Sequence, residues 1–302
     1  VGLCGIGAMG GTHAALLSKQ NVEFVAVADA VAEKYAVKAY YDYKEIFEKE
    51  KLDAVHVCLP HNIHVEVSVY AMEHGVNVLS EKPMSINYQS AVQAVETEKR
   101  CGVNYGVILQ CRYNDSAKLV KKAVQSGKLG KVLGARSTLT WWRPEDVYYL
   151  TSDWKGTWDK EGGGVIIDQA IHSIDLANWM IDSTPVEIQS TLHNRNHEIM
   201  VVEDTGEGII KYENGALLSF YAMNNYSCDE PIEVRLLCEN GKAIFSYDKA
   251  TVLYKDGTVE TAENNPNDMF KYTGGKDYWG FQHAVQIRQF YNAVQGKEAL
   301  EI

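Results

Sequence analysis

The sequence predicts an α/β chain in two parts: an N-terminal doubly wound parallel sheet, then a C-terminal α+β domain with a large, mostly antiparallel open sheet. Three observations predict it. Up to about residue 110, short β-branched runs alternate with longer amphipathic ones, and repeated strand, helix, strand gives a parallel sheet covered on both faces. After residue 130 the strands arrive with Asn-Gly and Asp-Gly turns, which join antiparallel neighbours. The 302 residues also exceed the roughly 250 to 300 at which single cores stop growing. The expected domains are 1–112 and 113–302.

In order, the chain opens inside a strand without a methionine, which implies residues ahead of Val1. Strands follow at "VEFVAVAD" (22–29), "DAVHVCLP" (53–60), "VNVLSEKP" (76–83) and "VNYGVIL" (103–109). Helical stretches lie near 9–19, 30–38, 43–50, 62–74 and 85–101. Beyond residue 130, "KVLGARSTLTWW", "EDTGEGIIKYENGALLSFYAM", "EVRLLCENGKAIFSY" and "TVLYKDGTV" read as hairpin strands. A late helix is expected within 279–295.

Charge and cysteine usage narrow the partners. With 29 basic against 40 acidic residues, the net charge of -11 repels a polyphosphate backbone, so no nucleic acid is expected. No apolar run approaches the 18 or more residues of a membrane span. The six cysteines form no C-x-x-C pair and no Cys/His cluster at metal spacing, which points to buried, reduced thiols, a cytoplasmic location and no metal.

Gly5, Gly7 and Gly10 form G-x-G-x-x-G between the first strand and the first helix. Glycine there permits a tight turn and a close approach of backbone N–H groups to a pyrophosphate. The second strand ends in Asp29, placed to accept hydrogen bonds from a ribose diol and to repel a 2′-phosphate, so the expected cofactor is NAD rather than NADP. "EKP" (81–83) ends a buried strand on the side where open α/β sheets bind ligands, and Lys82 there would stabilise a developing alkoxide. "CLPHNIH" (58–64) brings His61, Asn62 and His64 to the same crevice, where Asn62 is better suited to capping the next helix.

Together with "QCRYN" (110–114), "SGKLGKV" (126–132) and "GGGVIIDQAIHSID" (162–175), these motifs resemble the Gfo/Idh/MocA oxidoreductase family in order and spacing. The resemblance implies a Rossmann domain followed by an α/β domain with a large open sheet. It also implies NAD(P)-dependent oxidation or reduction of a ring hydroxyl or carbonyl of sugars, inositols and related compounds, and a homodimer or homotetramer. The family's catalytic lysine falls on Lys82, and its D-x-x-x-H pair on Asp168 and His172. The cofactor-binding set is expected to be Gly5, Gly7, Ala8, Met9, Gly10 and Asp29, with Leu59, Pro60, His61, His64, Glu81, Lys82 and Gln110. His61 departs from the family, many members of which have asparagine after this proline.

The chemistry fits those residues. On one continuous helix, Asp168, His172 and Asp175 share a face with Trp179, while Ile167, Ile171, Ile174 and Ile181 form an apolar docking stripe. His172 is then the general base, since imidazole titrates near working pH, and Asp168 one turn earlier orients it. The three glycines, Gly162 to Gly164, are expected to let the chain pass close to cofactor and substrate. "WWRPEDVYYLTSDWKGTW" (141–158) offers aromatic rings with Arg143, Tyr149, Trp154 and Lys155 for a sugar face and its hydroxyls. Two rivals use the same fold. A redox-assisted glycosidase or lyase would recycle its bound NAD, and a noncatalytic NAD-binding sensor would not need Lys82, Asp168 and His172 together.

Overall fold

The computed structural model describes residues 1–34, 36–265 and 282–302. Two compact units emerge: Val1–Ile108 with His283–Ile302, and Leu109–Gln282.

The first unit is a six-stranded, all-parallel sheet. Its elements are β1 (Gly2–Cys4), α1 (Ala8–Leu17), β2 (Ala26–Ala28), β3 (Lys38–Tyr40), α2 (Tyr43–Lys49), β4 (Ala54–Val57), α3 (His64–Glu73), β5 (Asn77–Ser80), α4 (Tyr88–Cys101) and β6 (Tyr105–Val107). The order β3-β2-β1-β4-β5-β6 reverses direction between β1 and β4, which opens a crevice at their carboxyl ends. Val27, Val55, Val57 and Val78 are wholly buried in the strands, as a sheet covered on both faces requires. Side-chain caps fix helix starts: Asp42 accepts from the Lys44 N–H and Asn87 from the Ser90 N–H. The expected helix at 30–38 is a single 3₁₀ turn, Ala32–Lys34, followed by β3. The Asp29 N–H bonds to the Tyr40 carbonyl, so edge pairing takes that stretch.

The second unit holds α5 (Asp115–Gln125), β7 (Val132–Thr140), α6 (Ile171–Ile181), β8 (Pro185–His193), β9 (Thr205–Tyr212), β10 (Leu217–Met223), β11 (Glu233–Cys238), β12 (Gly241–Ser246), β13 (Lys249–Tyr254) and β14 (Val259–Glu263). Its eight strands run β14-β13-β12-β11-β7-β10-β9-β8. Only β7 and β10 pair in parallel. Gly215 (φ 84°) and Gly257 (φ 91°) supply the left-handed residues of the β9–β10 and β13–β14 turns. Val120, Leu129, Leu176, Met180, Leu218 and Phe245 build the core between sheet and helices. On the opposite face Ile209, Leu217, Tyr221 and Leu237 are exposed, and every residue of edge strand β8 is exposed.

The last helix, α7 (His283–Val294), groups with the first unit rather than with 113–282, where a simple division by sequence would leave it. Ile287 and Phe290 are wholly buried, and the Gln286 amide donates to the Val107 carbonyl at the end of β6. Residues 279–281 of the expected helix lie outside the described residues. All six cysteines are free; Cys4, Cys111 and Cys238 are buried, Cys58 and Cys101 half-buried, and Cys228, unlike the buried thiols expected, is exposed. Among the described residues, no helix is long and apolar enough to cross a membrane.

Candidate active site

The candidates of the first unit lie at the carboxyl ends of β1, β2, β4 and β5 or in the helix starts that follow β1 and β4. Gly5 follows β1 with φ 87°, and a Cβ there would lie 2.2 Å from the Cys58 carbonyl oxygen. At Gly10 a Cβ would lie 2.0 Å from the Gly5 oxygen, whereas at Gly7 it would meet nothing within 4 Å. Two glycines therefore serve internal packing and the third leaves space at the start of α1. That helix has no side-chain cap and no acid in its first turn, so its leading N–H groups suit an anion. Gly7 and Ala8 are exposed and Met9 is half-buried. A dinucleotide phosphate fits this cradle. Asp29 is half-buried; one carboxylate oxygen accepts from the Ile6 N–H at 2.7 Å and the other from the Val31 N–H at 2.9 Å. Leu59 and Pro60 are half-buried after β4, His61 is buried and Asn62 is exposed.

Two expected cofactor contacts are spent inside the protein. His64 is wholly buried, with Nδ1 2.8 Å from the Pro83 carbonyl and Nε2 2.7 Å from that of Leu59. Burial pushes its pKa down, against the pull of those carbonyls. It fastens the "EKP" turn to the end of β4 and offers no ring nitrogen to a ligand. Glu81 is 5% exposed. One of its oxygens lies 3.0 Å from His13 Nε2 and 3.3 Å from His283 Nε2, and the other accepts from the Lys82 N–H at 3.2 Å. Burial opposes its ionisation, but donors from His13 and His283 hold it well below the usual carboxylate range. His13, Glu81 and His283 also form the one cluster of three metal-capable side chains found among the described residues. Sequence spacing could not disclose it, because its members come from α1, the turn after β5, and α7. Lys82 is half-buried.

In the second unit the expected single helix is a π turn, Ile166–Ala170, running into α6. The wider turn offsets Ile167 from the residues of α6, and of the expected stripe only Ile181 is buried. Ile167, Ile171 and Ile174 are only half-buried, whereas Ser173, Leu176, Ala177, Met180 and Ile181 face the core. Asp168 and His172 are themselves buried, at 5% and 8% exposure. Asp175 forms an ion pair with Arg112, Nε to Oδ2 at 2.7 Å, and so has a structural partner. Asp168 accepts from the Tyr148 hydroxyl at 2.5 Å and from the Gln169 amide. Gln169 is held in turn by Asn224 (2.9 Å), which also donates to Tyr149 Oη at 2.6 Å. Burial, then the Asp168 charge, pushes the Tyr148 phenol well up, so it is a hydrogen-bond donor. Gln110, in a 3₁₀ turn, is buried, and its side-chain oxygen has no hydrogen-bond partner among the described residues.

The glycines before the π turn pack against protein. A Cβ on Gly164 would lie 1.9 Å from the Glu203 carbonyl oxygen, and one on Gly163 would lie 3.1 Å from Ile167. Glu203 also accepts from the Val165 N–H (carbonyl, 3.0 Å) and the Ile166 N–H (carboxylate, 3.1 Å). Gly163 and Gly164 thus dock the segment on the approach to β9, a use of these glycines within the protein that the expected clearance for a ligand did not include. In the aromatic segment, Arg143 is 3% exposed and paired to Asp229 at 2.8 Å, and Tyr149 is 3% exposed and bonded to Asn224. Both are framework residues here. Trp154 and Lys155 are half-buried, and Lys155 Nζ lies 3.6 Å from the Tyr148 ring centre. Tyr148, Gln169 and Asn224 are the site residues that sequence reasoning missed; only the aromatic density around Tyr148 marked the region.

Residues 1–109 match the family model described as "Oxidoreductase family, NAD-binding Rossmann fold", and residues 117–244 the "GFO/IDH/MocA C-terminal domain". The chain is 28% identical over 202 residues to 2,7-anhydro-N-acetylneuraminate hydratase of Mediterraneibacter gnavus, covering 65% of this chain and 53% of that protein. It is 26% identical over 253 residues to myo-inositol 2-dehydrogenase of Thermotoga maritima, covering 78% and 72% respectively. The chain thus spans little more than half the length of the first relative. Among solved structures, the WlbA dehydrogenase from Bordetella pertussis, in complex with NADH and UDP-GlcNAcA, superposes with a TM-score of 0.85 at 22% identity, covering 99% of this chain and 88% of that one. That likeness shows the fold.

Proposed function

The chain belongs to the Gfo/Idh/MocA oxidoreductase family, and from that premise we propose that it is an NAD-dependent dehydrogenase of a sugar-like ring. Its substrate is a secondary ring hydroxyl or carbonyl of a sugar, glycoside, sugar nucleotide or cyclitol. The observation that carries the reading is the division between Gly5 and Gly10, which serve internal packing, and Gly7, which leaves the N-terminus of α1 open. A nucleotide-binding turn needs that arrangement and a merely well-packed turn does not. The relatives' names support the ring substrate: an inositol dehydrogenase and a dehydrogenase described with NADH and a sugar nucleotide.

NAD supplies a hydride acceptor when bound. The α1 N–H groups hold its phosphates, and Asp29 accepts from its ribose. Gln110, with an unmatched buried oxygen, is an acceptor suited to an amide. Lys82 polarises the reacting oxygen, and His172 takes the hydroxyl proton in oxidation and returns it in reduction. Asp168 stabilises the imidazolium, while Tyr148 and Gln169 hold that carboxylate in place. Trp154 and Lys155 are the substrate contacts we retain from the aromatic segment. Arg143 and Tyr149 support them from behind.

We further propose a cytoplasmic homo-oligomer, which six free thiols and the exposed Ile209, Leu217, Tyr221 and Leu237 support. Fluorescence titration with NAD and NADP, followed by a panel of sugars, inositols and sugar nucleotides scored by NADH absorbance, tests the reading. No binding of either dinucleotide would end it. The hydratase relative favours one alternative, a redox-neutral elimination or hydration with bound NAD recycled. Product formation without net NADH would select it.

A further inference from the structure

A carboxylate as deeply buried as Glu81 is costly unless its charge is met by donors, and the first unit brings three other segments, α1, β4 and α7, into the network that meets it. We propose that His13 and His283 are positioning residues for Lys82, acting through Glu81. This rests on the reading of Lys82 as the residue that polarises the reacting oxygen.

The hydrogen-bond directions follow from the partners. Ionised Glu81 only accepts, so His13 donates from Nε2 at 3.0 Å. A neutral His13 ring then accepts at Nδ1, which lies 2.6 Å from His56 Nδ1, and His56 must donate there. His56 Nε2 is left to accept from the Tyr291 hydroxyl at 2.7 Å. One assignment satisfies every group with both rings neutral, and all its bonds point towards Glu81. Burial favours the same neutral state in His13 and His56. From α7, His283 approaches the oxygen that His13 occupies. The second Glu81 oxygen is thereby aimed at the Lys82 peptide N–H.

The consequence reaches beyond packing. His13 lies on α1, whose first turn is the phosphate cradle, while His56 follows from β4 and His283 and Tyr291 from α7. The chain of bonds ties the cofactor-binding helix to the backbone of Lys82, so the lysine's placement depends on residues that touch neither cofactor nor substrate. A hydrogen-bonded network of this kind can hold a single geometry. Misplacing a reacting group by about 1 Å costs on the order of 10²-fold in rate.

The test compares His13→Leu and His13→Gln in the full chain by three measurements: hydrogen exchange at the Lys82 amide, NADH affinity, and turnover on the best substrate of the panel. His13→Leu should speed exchange at Lys82 by about tenfold or more. It should also lower kcat by about 10- to 100-fold while NADH affinity stays within a few-fold. His13→Gln, whose amide can reach the same oxygen, should recover most of both. Where His13→Leu fails to fold, His283→Gln and Tyr291→Phe carry the same measurements, with Tyr291→Phe the milder. Lys82 exchange unchanged in the variants would overturn the positioning role, whatever the turnover. Undiminished turnover in Lys82→Ala would instead remove the catalytic reading on which that role rests.

Discussion

The Asp29 carboxylate clasps the peptide N–H of Ile6 at 2.7 Å, so the residue expected to read the ribose also fixes the glycine loop. Charge-assisted bonds of this kind contribute about 1.5 to 3 kcal/mol. Asp29→Ala should therefore weaken NADH binding by about 10- to 100-fold with kcat changed only a few-fold. It should not create tight NADP binding, because the loop loses its anchor together with the ribose acceptor. Fluorescence titration with both dinucleotides decides this; a clean switch to NADP would mean that the Ile6 bond is incidental.

For the proton-handling groups the expected pattern is a loss of turnover with binding intact. His172→Ala and Lys82→Ala should each lower kcat by about 10² to 10⁴-fold and leave NADH affinity within a few-fold. Asp168→Asn should fall between these and wild type: Tyr148 and Gln169 donate to one and the same carboxylate oxygen, which an amide oxygen can replace, but a neutral amide does not stabilise the imidazolium. The pH of half-maximal oxidation should fall in Asp168→Asn, because without the neighbouring charge the imidazole base stays neutral to lower pH. Normal kcat with an unaltered pH profile in His172→Ala would place the proton path elsewhere.

Gly164→Ala sets a Cβ 1.9 Å from the Glu203 carbonyl oxygen, and backbone cannot retreat as a side chain can. The loss should be about 3 kcal/mol, the upper end of overpacking, seen as a fall in Tm of roughly 5 °C or more. Gly7→Ala meets no protein atom; it should keep the wild-type Tm and lose NADH affinity. Were the two variants to behave alike, the different uses assigned to these glycines would be wrong.

Burial lowers the pKa of His13, His56 and His64 below the ordinary 6.5. With the folded value depressed, the unfolded chain binds more protons as pH falls through about 6.5. Stability from these groups is therefore complete above that pH and declines below it, by about 1.4 kcal/mol per pH unit for each histidine affected. Denaturant unfolding between pH 7.5 and 5 should show this slope, reduced in His56→Asn. A variant slope equal to that of wild type would mean that His56 is not held neutral.

What could be read without coordinates was what local sequence encodes. The glycine loop, the strand ending at Asp29 and the "EKP" turn depend on adjacent residues and fall where expected. β3 was hidden because three residues, Lys38–Tyr40, carry too little pattern to outweigh a helical reading of their neighbours. In 161–181 the residues are the expected ones and the phase is not: the π turn at Ile166–Ala170 inserts an offset that a 3.6-residue period cannot represent. Arg143 reads as a ligand donor until Asp229, from a distant strand connection, appears beside it. The Glu81 network is the extreme case, since distant pairing alone brings its four segments together.

The return of His283–Ile302 to the first unit has a consequence for biosynthesis. Leu109–Gln282 is, in topological terms, an insertion within the nucleotide-binding unit, and that unit's polar core stays incomplete until His283 and Tyr291 have been translated. A chain halted after Gln282 carries every strand of the eight-stranded sheet yet lacks His283 beside Glu81 and the buried Phe290. The portion made first is thus the portion completed last.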